Sequence, residues 1–153
     1  MLDHGFLLLC ESENRRSSYM DYANPSSRGP GEVRLHDDVM FYIWDTLNWI
    51  PTFNPSTGAQ QMGLNLQGVT VIDRSGATKA ATLFRLWAAL FAEGPEPLVL
   101  TGSFEYIEGQ DPAQGHLQRL IFDRALIVRA FQRLAEYADR VSTGGFYILH
   151  LGI

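Results

Sequence analysis

Residues 146–151 read Phe146-Tyr147-Ile148-Leu149-His150-Leu151, six positions without a charge or a turn former. A half-buried strand alternates apolar with polar residues, whereas a run apolar on both faces needs cover above and below. This segment therefore predicts a strand inside a sheet, with a neighbour on each side. Ser142-Thr143-Gly144-Gly145 separates it from a helix over 123–141. There Ile127, Ala130, Phe131, Leu134, Ala138 and Val141 recur at helical spacing, and Arg124, Arg129, Arg133 and Arg140 fall off that stripe. Asp123 is placed to cap it.

Further back, 97–107 and 116–122 read as two strands joined by the turn-rich stretch Glu108-Gly109-Gln110-Asp111-Pro112-Ala113-Gln114-Gly115. Gly94-Pro95 stops a helix over 77–93 whose apolar face carries Leu83, Phe84, Trp87, Ala88, Leu90 and Phe91. Leu66 to Asp73 is a strand through Val69, Val71 and Ile72, and Ser75-Gly76 a turn after it. From residue 66 the order is strand, helix, strand, strand, helix, strand. That is the βαββαβ order of a ferredoxin-like core. Its last strand would lie at an edge, which conflicts with the apolar run at 146–151. Placing the apolar segment 5–12 (Gly-Phe-Leu-Leu-Leu-Cys-Glu-Ser) beside it removes the conflict. The expected fold is α+β: a two-layer mixed β-sheet with helices, a ferredoxin-like core plus an N-terminal strand and an aromatic-rich helix. A chain of 153 residues is expected to form one domain, 1–153.

The aromatic-rich helix is the block Phe41-Tyr42-Ile43-Trp44-Asp45-Thr46-Leu47-Asn48-Trp49-Ile50-Pro51-Thr52-Phe53. Asp37 is placed to cap a helix over 37–49, and Asp37 and Asp38 both suit the positive end of its dipole. Pro51 ends it. The block is apolar over most of its circumference. It must be covered on several sides or present aromatic surface to a partner. Residues 13–34 and 51–64 read as two long loops.

The net charge of −5 argues against nucleic acid as a partner, since phosphates call for a basic footprint. Eleven arginines stand against one lysine, Lys79, a bias for which GC-rich coding is sufficient cause. The single cysteine, Cys10, excludes an internal disulfide and points to a reducing compartment. Within Phe6-Leu7-Leu8-Leu9-Cys10 it reads as a small buried hydrophobe. That run is too short to span a bilayer, and no signal-peptide pattern precedes it. A cytoplasmic protein with no membrane partner is expected.

Catalytic signatures are missing. His4, His36, His116 and His150 stand apart, with no HxxxH, HxH or CxxC spacing, so no metal is expected. No GxxxxGK[ST] or GxGxxG loop is present, and Asp73 to Lys79 is no more than a weak anion site, so no cofactor is expected. No GxSxG elbow holds a serine nucleophile. His150, inside an apolar strand, reads as a core histidine. Glu105 and Glu108, three apart on a strand, point to opposite faces and make a poor acid–base pair.

What remains is charge distribution. Glu93, Glu96, Glu105, Glu108 and Asp111 fall between residues 93 and 111 without a base among them. An acidic hairpin with aromatic anchors suits capture of a basic protein. The candidate partner-binding residues are Asp37, Asp38, Trp49, Phe53, Glu105, Tyr106, Glu108 and Asp111. Small, acidic, reduced and without catalytic signatures, the chain resembles bacterial immunity proteins in general character. That resemblance implies neutralisation of a cognate toxin, often a basic nuclease, by direct binding. Two other readings fit the composition. One is a small enzyme or ligand-binding domain with a pocket lined by Trp44, Trp49, Phe53 and Trp87, with His36 or His150 as its polar group. The other is a homo-oligomer that buries its aromatic face against itself.

Overall fold

The computed structural model describes residues 3–12, 22, 24, 26 and 28–153. The elements in chain order are β1 (Asp3–Cys10), β2 (Val33–His36), α1 (Asp37–Leu47), β3 (Pro51–Asn54), β4 (Ala59–Met62), β5 (Val69–Ile72), α2 (Arg74–Ala92), β6 (Leu98–Glu105), β7 (His116–Phe122), α3 (Arg124–Thr143) and β8 (Phe146–Leu151). Six strands form one sheet in the order β2-β1-β8-β5-β3-β4, and β6 and β7 form a separate two-stranded sheet. The class is α+β, as expected.

The apolar run at 146–151 lies inside the sheet. It pairs with β1 on one side (Leu7 opposite Leu149) and with β5 on the other (Val71 opposite Leu149). Alternation then divides the sheet residues between two faces. Phe6, Ile148 and Ile72 point to the side that α1, α2 and α3 cover, joined there by Val33 and Leu35 of β2. Leu7, Val71, Tyr147 and Leu149 point to the opposite side, where they form a second buried cluster with Phe53 packed against it. Both faces of β8 are thus dry, which is why its sequence carries no polar alternation.

Every pairing in the sheet is antiparallel, so it is not the mixed sheet expected from the sequence. Of the ferredoxin-like pairings, β5 with β8 and β6 with β7 are present. The place beside β5 that β7 would occupy is taken by β3, which belongs to a β3–β4 hairpin within the stretch expected to be a loop. Pro51 sits at the first residue of β3, where a missing N–H costs no ladder bond. The turn between the strands is built by Asn54, whose side chain accepts from Ser56 N–H, and by Gly58 at φ +75°.

The helices show why their boundaries moved. α3 starts after Asp123, whose carboxylate accepts from Leu126 N–H, and it buries Ile127, Phe131, Leu134 and Ala138 as its spacing predicted. Phe131 is fully enclosed between Phe84 and Phe91 of α2. Burial of one such ring is worth about 1.5–3 kcal/mol. α2 begins at Arg74, three residues before the expected start at 77, because Asp73 caps it through Ser75 N–H. Gly76 therefore lies inside the helix. A Cβ there would collide with the Pro51 carbonyl oxygen, so glycine lets α2 rest directly on the start of β3. α1 is capped by His36, whose Nδ1 accepts from Asp38 N–H, and not by Asp37.

Cys10 is exposed, against the expectation of a buried hydrophobe. It is the last residue of β1, opposite Phe146, and the burial of the strand ends with Leu9. Among the described residues no helix is long and apolar enough to cross a membrane.

Candidate functional site

β1, β8 and the start of α1 bring three titratable side chains into a buried line. His4 Nδ1 lies 2.9 Å from His150 Nε2, and His4 Nε2 lies 3.0 Å from Asp37 Oδ1. Both imidazoles are fully buried and nearly parallel, with Phe6 against His150 and Trp44 against His4. His150 Nδ1 has no hydrogen-bond partner among the described residues. Burial, and secondarily the neighbouring His4, hold the His150 pKa well below its usual range.

The distances fix which ring atoms face one another. The Asp37 carboxylate can only accept, so His4 donates to it from Nε2, and a single proton bridges His4 Nδ1 and His150 Nε2. Both ring nitrogens of His4 are used, so the three groups form a chain and do not converge on one point. Among the described residues no group of three or more His, Cys, Asp or Glu is arranged to hold a metal ion. The chain ties the first turn of α1 to the centre of the sheet. It also explains the exchange of caps: Asp37 is drawn inward to His4, and His36 covers the helix start.

The second site is the β6–β7 hairpin. Its root is in the core through Leu98 and Leu100, with Leu120 and Phe122 packed against them. Beyond the register shift between Thr101 and Phe104 the hairpin leaves the body of the protein, and residues 103–114 are all exposed. Phe104, Tyr106, Ile107, Leu117 and Ile121 are each more than half exposed, a concentration of large apolar surface on one element. The tip is ordered by a short 3₁₀ turn, Pro112–Gln114, in which Asp111 accepts from Ala113 N–H at 2.9 Å. Gly115 gives room to the Phe104 ring, which a Cβ at that position would strike. Phe104, Glu105, Tyr106, Ile107, Asp111 and His116 line an open cleft of about 500 Å³. Glu105 is bonded to Gln118 on the facing strand.

Of the candidate residues read from the sequence, the structure gathers Glu105, Tyr106 and Asp111 around this cleft, with Glu108 exposed on the same tip. The other four lie elsewhere. Asp37 is buried in the histidine chain, and Asp38 lies 3.4 Å from His36. Phe53 packs on the sheet face away from the helices, and Trp49 stands in a groove beside α2. Trp44 and Trp87 pack against the core, where the Trp87 indole N–H donates to Thr46 Oγ1 at 2.8 Å. The groove beside α2 thus holds Trp49 without Trp44 or Trp87. His4 was not singled out from the sequence. Its only signal is parity, since it falls on the same face of β1 as Phe6, and Phe6 pairs with His150.

Family models, curated proteins and solved structures were compared with the chain, and none matches.

Proposed function

We propose that this protein is a protein-binding module that works as a bacterial immunity protein, neutralising a basic toxin domain by direct contact through the β6–β7 hairpin. The observation that carries the reading is the combination, on one protruding two-stranded sheet, of exposed Phe104, Tyr106, Ile107, Leu117 and Ile121 with the acids Glu105, Glu108 and Asp111. Two strands alone rarely hold themselves together in water, and apolar side chains left in solvent gain by being covered. The acids supply long-range attraction for a basic surface, and the aromatics supply the contact area that slows release. The buried histidine chain offers no opening to a substrate, so it serves as architecture in this reading.

The test is surface-binding kinetics at low and high salt, with the product of the gene next to this one as the first partner to try. Changing Glu105 and Glu108 to Lys and Asp111 to Asn, which keeps the oxygen that accepts from Ala113 N–H, should leave the melting temperature nearly unchanged, as exposed substitutions do. It should slow association by about tenfold or more at low salt and flatten its salt dependence. Tyr106→Ala should act on dissociation. A triple variant that associates with its partner as fast as the native protein would refute the reading.

A further inference from the structure

A groove of about 450 Å³ that shares no residue with the hairpin's cleft is lined by Trp49, Pro51, Thr78, Lys79 and Leu83 together with Ser75 and Thr82. One wall is the exposed face of the first turns of α2, and the other is the turn that leads from α1 into β3. The contact of Gly76 with Pro51 holds the two walls together at their base.

Three observations set its chemistry. Trp49 leaves 54% of its surface exposed, so an indole face is available at the rim. Lys79, the one lysine of the chain, has no ion pair among the described residues. Two of the three hydroxyls that line the groove are occupied: Ser75 donates to Asp73, and Thr82 donates to the Thr78 carbonyl. Lys79 is thus the cationic donor left facing the groove. The N-cap acid of α2, Asp73, is bonded to Ser75 through both its N–H and its hydroxyl, and among the residues that line the groove Lys79 alone carries a charge. Grooves of this size with apolar walls and one well-placed charge are how proteins take up small organic ligands.

We propose that this groove binds a small amphipathic anion, a flat aromatic ring system carrying one acidic group. The ring stacks on Trp49 and lies against Leu83, and the acid meets Lys79. The site does not depend on the toxin-binding reading, since the two surfaces share no residue.

The probe is 1-anilinonaphthalene-8-sulfonate, with N-phenyl-1-naphthylamine as the same ring system without the acid. Excitation of tryptophan should produce energy transfer to the sulfonate in the native protein, saturating at one equivalent. Lys79→Gln should weaken sulfonate binding by roughly 1.4- to fivefold, the range for an exposed ion pair, and leave the uncharged analogue unaffected. Trp49→Leu should weaken both by roughly three- to tenfold. Both side chains are exposed, so circular dichroism and melting curves should match the native protein. Absence of saturable binding would overturn the proposal. So would affinity unchanged in both variants, or binding lost on Phe104→Ser in place of them, which would put the dye on the hairpin.

Discussion

Lowering the pH should destabilise this protein through His150 before its surface carboxylates respond. The folded state encloses this imidazole completely and offers its Nδ1 no partner, so a proton there would be both charged and unsolvated. Its folded pKa is accordingly held well below the ordinary value of 6.5 by burial first and by His4 second. In the unfolded chain the same ring takes its proton at about 6.5. Between those two values the unfolded state binds one more proton than the folded state, so stability is intact above pH 6.5 and falls as the pH drops. The slope is about 1.4 kcal/mol per pH unit, and the loss at pH 5 is roughly 2 kcal/mol while the folded ring stays neutral. The loss stops growing once the pH falls below the folded pKa. Urea melts at pH 7, 6 and 5 measure it directly, with His150→Phe as the reference. That variant removes the titrating ring beside Phe6 and leaves His4 without one partner, which costs stability at every pH but removes the slope. A native protein equally stable at pH 7 and pH 5, or a His150→Phe variant with an unaltered slope, would refute the assignment.

Phe131→Ala should cost about 3–5 kcal/mol in denaturant melts, because the ring is fully enclosed between Phe84 and Phe91; a loss under about 1 kcal/mol would mean the helix pair is packed otherwise. Cys10 should react with a thiol-specific reagent in the native protein at a rate close to that of the urea-unfolded chain, since the side chain is exposed at the end of β1; strong native protection would contradict its placement.

Legibility in the sequence followed the strength of each local signal. The run at 146–151 and the stripe of α3 were readable because burial imposes long, clean patterns on them. β3 and β4 fall within the stretch 51–64 that reads as loop, and β2 straddles the end of the one at 13–34, for the opposite reason. They are four residues each, and β4 presents Ala59, Gln60, Gln61 and Met62 at an edge where little burial constrains the sequence. Missing them changed the topology, because β3 occupies the place beside β5 that a ferredoxin-like core gives to its hairpin. The caps of α1 and α2 show a second limit. Asp37 has a sound local reading as cap, but the tertiary contact with His4 overrides it, whereas Ser75-Gly76, which reads as a turn, is helical because Asp73 caps α2 just before it. The acidic tip at 105–111 was legible from composition alone. The histidine chain was not, since His4 and His150 stand 146 residues apart and only strand pairing joins them.

The position of β8 between β1 and β5 has a kinetic consequence. Leu8 pairs with Ile148, and Val71 with Leu149, so neither half of the main sheet has its central neighbour until residues 146–151 arrive. Synthesis proceeds from the N-terminal side. β1 with β2, and β5 with β3 and β4, must therefore wait as two separate pieces, each with an apolar edge open to pairing. Closing a sheet across such separations is slow, because chain entropy is lost before the contacts that offset it are made. The waiting edges are where misassembly would start, and the six residues of β8 are what ends that exposure.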